Sequence, residues 1–148
     1  MMLPKEIRSP PCEYSLDHVI DLMALILRRN LSVPDYYRDL TEERIRAIYN
    51  GIGPEAWCPS LRSLVTWILE RYEADALIHD IEYALAPRTY KAFSVANVRF
   101  ARNACVNALY DRGLTRKALA DVALGLLLAL LCQIGGWRGY KTTNCNNF

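Results

Sequence analysis

Apolar residues recur every three or four positions along most of this chain, and this spacing predicts helices. The first such segment follows Ser15, a residue type that caps helix N-termini, and carries Leu16, Val19, Met23 and Ile26. Side chains three and four positions apart share one helix face, so each segment can bury one stripe. No segment of useful length alternates apolar and polar residues as a half-buried strand does. The sequence therefore predicts an all-α fold.

Capping and helix-breaking residues delimit the remaining helices. The predicted segments run from Thr41 to about Tyr49, from 60 to 86 with a break near Glu73, from 94 to 112, and from 116 to 134 behind a Thr115 cap. The three prolines among residues 1–14 predict an extended arm. The composition of residues 135–148 predicts a polar tail. A chain of 148 residues is expected to form a single domain over residues 1–148.

The last predicted helix contains the very apolar stretch "VALGLLLALLCQIGGW". Asp121 and Gln133 frame a run that is shorter than the roughly 20 residues a bilayer span needs. We therefore expect residues 116–134 to be buried by protein rather than lipid. A buried core helix and an oligomer interface both fit, with a membrane segment as the third alternative.

The net charge and the number and spacing of the cysteines limit the classes of function that this chain can have. The formal net charge is only +2, which predicts no nucleic-acid surface. Five cysteines form no CxxC pair, which argues against a zinc site or a disulfide scaffold and favours a reducing compartment. The first residues show no apolar segment of the kind that signal peptides carry.

The stretch "ADALIHDIEYAL" places a His-Asp pair on a helix. At helical spacing His79 can meet Asp75 one turn before it and Glu82 or Tyr83 one turn after it. Asp80 is rotated by about 100° and would face an adjacent site. Two interpretations follow: His79 activates water beside a cation held by Asp80, or His79 is a hydrogen-bonded packing residue.

Two arginines on the next helix bear on the same question. Arg99 and Arg102 lie one turn apart, where they can face Asp75, Asp80 or Glu82 across a helix pair. An arginine and an acidic residue would form either an ion pair on the surface or a buried ion pair. In a buried pair the guanidinium would take the place of a cation beside Asp80.

The order "YNGIGP", "LIHDIEYAL", "FSVANVRFARNAC" resembles the secreted and parvoviral phospholipase A2 pattern. That resemblance implies a calcium loop in which Tyr49, Gly51 and Gly53 match Y-x-G-x-G and supply backbone ligands. It implies that His79 is the general base and that Asp80 is a ligand for Ca²⁺.

The same resemblance extends to the following helix. Tyr83 matches the tyrosine that supports the acid behind the histidine, and Ala96 and Phe100 match the family's AD-x-x-F. Asn97 stands where that family has aspartate, so the carboxylate that would orient and charge-stabilise the histidine is missing.

A second resemblance covers about residues 57–140. The elements "PSLR", "ADALIHDIEY", "ANVRF", "YDRG" and "LLALLCQIGGW" follow the order of a small family of unknown function encoded in phages and prophages. It implies a phage origin and an antiparallel helix pair that carries HDxxY and ANxxF.

Three functions are compatible with this sequence. The first is a phage structural or virion-associated accessory protein that uses a phospholipase-like scaffold and is weakly active or inactive. The second is a calcium-dependent phospholipase- or esterase-like hydrolase, and the third is an inhibitor that binds a host protein. The expected partners are other phage structural proteins or further copies of the chain, with membrane lipid as an alternative, in the virion or the host cytoplasm.

Overall fold

The computed structural model describes residues 14–49, 65, 69–110 and 112–142. Within these ranges the chain is helical and contains no strand, so the predicted all-α fold is confirmed. The α-helices are α1 (Leu16–Arg28), α2 (Glu42–Ile48), α3 (Glu73–Leu85), α4 (Tyr90–Tyr110), α5 (Arg116–Gly135) and α6 (Trp137–Thr142). Two short 3₁₀ turns cover Asp35–Asp39 and Glu70–Tyr72.

The three predicted N-caps are confirmed by their hydrogen bonds. The hydroxyl oxygens of Ser15, Thr41 and Thr115 each accept a bond at 3.2 Å from the backbone N–H three residues later. Each bond satisfies a donor that the first helical turn leaves without an intrahelical partner. The predicted break near Glu73 is also present, because a 3₁₀ turn ends there and α3 begins.

Helix α3 lies at the centre of the fold. Ten of its 13 residues are buried, and its apolar side packs with α1 and α2 into the larger core cluster. Leu77 and Ile81 are fully enclosed in that cluster. The helix therefore has neighbours on several faces, and its polar residues at the core need hydrogen-bond partners.

Helices α3 and α4 form the predicted antiparallel pair. Their contacts pair early residues of one with late residues of the other, as in Asp75 with Asn107 and His79 with Asn97. The turn is shorter than expected, because α4 begins at Tyr90 rather than at 94. The Thr89 hydroxyl accepts a bond from the Ala92 N–H and so caps this earlier start.

Helix α5 returns along α4 after a turn at Gly113, whose φ of +55° suits glycine. The two helices approach closely at Gly125. A Cβ there would lie 2.6 Å from the Cβ of Ala104, which is shorter than any ordinary carbon contact. Small residues at the contact between α4 and α5 therefore allow the two helices to pack closely.

Two sequence expectations about the C-terminal part are wrong. Helix α5 is not a core helix of this chain, because its buried residues are only Ala118, Gly125 and Ala129. It is also the one helix in the described ranges that is long and apolar enough to cross a membrane, with 17% of the apolar window buried. The predicted polar tail instead contains α6, and its Tyr140 is fully buried.

Candidate functional site

His79 faces α4 from the middle of α3. Its Nε2 lies 2.8 Å from Oδ1 of Asn97, and the Tyr83 hydroxyl donates to the same oxygen at 3.2 Å. An amide oxygen only accepts hydrogen bonds, so Nε2 carries the proton and Nδ1 carries the lone pair. The predicted closeness of His79 and Asn97 is thus confirmed, and both are joined by Tyr83.

Asn97 connects this group to α5. Its Nδ2 donates to Oε1 of Gln133 at 2.8 Å, and the Gln133 amide donates in turn to Tyr90 and Ser94 at 3.0 and 3.2 Å. Each amide is therefore both donor and acceptor in a chain of uncharged groups. The polar network spans three helices and is satisfied without any carboxylate.

Aromatic rings enclose the imidazole. The ring centroid of Tyr83 lies 4.0 Å from that of His79, and Phe100 meets it edge-on at 5.4 Å. Only 9% of His79 is exposed. This burial lowers the pKa of His79 to about 4, and the hydrogen bond to Asn97 acts in the opposite direction. The side chain is therefore neutral at pH 7.

These features bear on its use as a general base. An efficient base has a pKa near the working pH and a neighbour that stabilises its protonated form. Burial makes protonated His79 unfavourable, and Asn97 carries no charge to offset that cost. The pocket therefore stabilises a neutral imidazole and opposes the imidazolium that base catalysis requires.

Neither carboxylate predicted to lie beside His79 serves it. Asp75 accepts bonds from Nδ2 of Asn107 at 2.7 Å to both oxygens, and Arg29 donates to Oδ1 of that same amide at 2.7 Å. Asp75 therefore lies on the same α4-facing side of the helix as His79 but is bonded to a different amide. Burial raises the pKa of Asp75 to about 7.

Glu82 forms an ion pair with Arg99, one of the predicted cross-helix pairings. The pair is largely enclosed, since Glu82 is 3% exposed. Burial raises the pKa of Glu82 to about 7, and the Arg99 guanidinium opposes that shift. Arg99 is thereby committed to Glu82 rather than to Asp80.

Of the four residues that the phospholipase resemblance assigns to a calcium site, the structure describes Tyr49 and Asp80. Asp80 is half-buried. Burial raises the pKa values of Tyr83 and Cys132, and the negative charge of Asp80 adds to both shifts. Gly51 and Gly53 lie outside the described residues. In the ranges that are described, no group of three His, Cys, Asp or Glu side chains is arranged to hold a metal ion.

Tyr49 takes part in a second histidine group that the sequence patterns did not indicate. Its hydroxyl donates to Oε1 of Glu73 at 2.8 Å, and Nε2 of His18 lies 2.7 Å from the same oxygen. Tyr14 stacks on His18 with centroids 5.7 Å apart. His18 therefore has the carboxylate partner that His79 lacks. No local motif links residues 55 positions apart, so sequence spacing gave no signal.

A row of buried asparagines on α4 was also missed. Asn103 exchanges two hydrogen bonds of 2.8 Å with the backbone of Ser32, and Asn107 holds Asp75. Val95 and Val98, two apolar residues of the same helix, are instead 45% and 69% exposed. The available signal was the recurrence of Asn at 97, 103 and 107 beside small alanines.

No protein-family model, curated protein or solved structure matches this chain.

Proposed function

We propose that the protein is a structural or virion-associated accessory protein of a bacteriophage, in which the α3–α4 pair is a packing scaffold and not a hydrolytic centre. The phage origin rests on the order of the HDxxY, ANxxF and apolar C-terminal elements. The non-catalytic role rests on one observation: His79 is enclosed, neutral and bonded through Nε2 to an amide.

The surrounding contacts support this role. His79, Asn97 and Gln133 link three consecutive helices through paired donors and acceptors. A buried network of this kind favours one arrangement of the helices over slipped alternatives, since any shift leaves polar groups without partners. A shape-defining role suits a component that must present constant surfaces to neighbouring subunits.

A calcium-dependent phospholipase- or esterase-like hydrolase is the second candidate. It is favoured by the meeting of His79, Tyr83, Asn97 and Phe100 at one place, as the phospholipase resemblance implies. The two candidates differ in what the imidazole does, and a direct assay separates them.

The assay measures fatty-acid release from mixed phospholipid vesicles with Ca²⁺ or with chelator. Purified protein should give no calcium-dependent turnover, and His79→Ala should lower thermal stability without changing the background rate. Turnover that disappears in His79→Ala would establish the hydrolase instead.

Asn97→Asp is the matched variant, because it restores a carboxylate behind His79 with little change in shape. Removing such a carboxylate from a triad costs about 10⁴ in rate, so its introduction tests whether charge alone is lacking. Turnover only in Asn97→Asp would identify a hydrolase scaffold without its charge partner. Turnover in neither protein supports the structural role.

The virion assignment has its own test. Mass spectrometry of purified particles from a host that carries the gene should detect the chain in a constant ratio to the major capsid component. Its absence from particles, together with a host protein retained in a pull-down from the same cells, would favour the inhibitor interpretation.

A further inference from the structure

Helix α5 carries an apolar band on the side that faces away from α4. The band comprises every exposed residue between positions 119 and 134: Leu119, Ala120, Ala123, Leu124, Leu126, Leu127, Leu130, Leu131 and Ile134. The leucines and the isoleucine are 38–74% exposed. At 100° per residue they cover an arc of about 160°, with Leu127 near its centre. No polar side chain interrupts this apolar band.

The polar residues of α5 point the other way. Asp121 pairs with Arg71 and lies 2.9 Å from Nη1 of Arg112, and Gln133 bonds to Asn97. The surface-facing side of α5 is therefore more apolar than its protein-facing side. This reversal of the usual surface helix indicates that something other than water covers the band.

We propose that the apolar band docks on the same band of a second copy of the chain, in an antiparallel, two-fold symmetric pair of α5 helices. The band is about 24 Å long at 1.5 Å per residue. Stable interfaces take about 800 Å² from each partner and combine an apolar centre with a charged rim. The band supplies that apolar centre, and the nearest exposed charges, Arg116, Lys117 and Arg138, lie beyond its ends.

The order of side chains along the band suits a two-fold axis. When the helix is reversed about Leu127, Leu124 exchanges with Leu130, Ala123 with Leu131, and Ala120 with Ile134. An isologous contact places the same residue of both copies at the axis. Leu127 then meets the partner's Leu127, and in two of the three exchanged pairs an alanine faces a larger side chain.

The charged side chains of α4, which packs along α5, argue against a membrane-spanning α5. Gly125 approaches Ala104 and Gln133 bonds to Asn97, so Arg99 and Arg102 lie level with the middle of the band. Arg102 is exposed. A membrane-spanning α5 would carry these guanidinium groups into the hydrocarbon layer, where charged side chains are strongly disfavoured.

A position flat on a membrane surface also fits poorly. Helices that lie in the interface carry lysine and arginine along their polar face. In α5 the basic residues end at Lys117, and the next one in the chain is Arg138 in α6. A protein surface of matching apolar character, which the second copy provides, needs no such row.

The test measures molar mass by light scattering and sedimentation over a range of protein concentrations. The wild-type chain should form a dimer, and Leu127→Glu and Leu127→Lys should each raise the dimer dissociation constant at least 100-fold, because like charges would meet at the axis. An equimolar mixture of the two variants should restore the dimer. The matched control is Leu27→Glu, which changes a 78%-exposed leucine on α1 and should leave the dimer intact.

Several results would overturn the proposal. One is a wild-type monomer at all concentrations, and another is an oligomer that Leu127→Glu leaves unchanged. If the equimolar mixture of Leu127→Glu and Leu127→Lys stays monomeric, Leu127 does not contact Leu127 of the second copy. Recovery of the wild type only in detergent-extracted membranes, or flotation with neutral phospholipid vesicles that Leu127→Glu abolishes, would assign the band to lipid.

Discussion

Helices α3 and α5 distribute polarity in opposite ways. Helix α3 buries Glu73, Asp75, His79 and Glu82, whereas α5 exposes most of its leucines. The polar residues of α3 have cross-helix partners, and the small residues of α5 face α4. Burial in this fold thus follows the number of neighbouring helices rather than the polarity of the helix.

The two histidines differ in the chemistry of their partners. His18 is paired with the carboxylate of Glu73, while His79 is paired with the amide of Asn97. Burial lowers the pKa of His79, and the uncharged amide of Asn97 offsets that shift only in part. The histidine within the HDxxY motif is therefore the one that the structure holds neutral, and the one outside any motif has the acidic partner.

The largest expected effect comes from removing the acid at the start of α3. Glu73→Ala should lower the free energy of unfolding by about 3 kcal/mol, because His18 and Tyr49 both lose their shared acceptor in the core. Urea unfolding monitored by circular dichroism measures this change. Glu43→Ala, in an exposed position of α2, is the control and should cost under about 1 kcal/mol. Equal losses of unfolding free energy in the two variants would show that the buried position of Glu73 adds no stability beyond that of an exposed glutamate.

The next effect is a pH dependence from Asp75. Its pKa rises from 3.8 to about 7 on folding, so the stability linked to its protonated form is complete below pH 3.8 and is lost as pH rises through 7. Asp75→Asn removes this titration. Relative to the wild type, the variant should gain about 2–3 kcal/mol in unfolding free energy between pH 5 and pH 8.

Urea midpoints at pH 5, 6.5 and 8 measure that difference. Asp17→Asn changes an exposed carboxyl on α1 and should follow the wild type within about 0.5 kcal/mol at each pH. A constant difference between wild type and Asp75→Asn over this range would contradict the buried, proton-binding state of Asp75.

A third variant tests the small-residue contact between α4 and α5. Gly125→Val should destabilise by about 2 kcal/mol, because even its Cβ would meet Ala104 at 2.6 Å and Tyr72 at 3.1 Å. Thermal unfolding measures the loss. Gly135→Val is the matched control, since a Cβ at Gly135 meets nothing within 4 Å. A similar loss in both would indicate a general cost of valine in α5 rather than a packing clash.

The smallest effect is expected in the apolar band. In monomeric protein at low concentration, Leu130→Ala should change the unfolding free energy by no more than about 0.5 kcal/mol, because the side chain is 53% exposed. Leu27→Ala, on the exposed side of α1, should behave alike. A loss above 1 kcal/mol in Leu130→Ala alone would mean that the band packs within its own chain.

The sequence by itself determined the helices and where several of them begin. Ser15, Thr41 and Thr115 cap their helices as predicted, because a cap needs only a hydroxyl three residues before a free N–H. It also placed His79 opposite Asn97, since two helices joined by a short turn pack antiparallel. These features depend on neighbours in the chain, which local spacing describes.

Only the tertiary structure decided which faces are buried and which partners meet. Apolar composition predicted a buried α5, yet α5 lies at the edge and packs along one side. Polar composition gave no reason to bury Asn103 or Glu73, yet partners from distant segments satisfy them. The physical reason is that a hydrogen bond or an exposed face depends on what the fold brings alongside a residue, and helical periodicity carries no information about those neighbours.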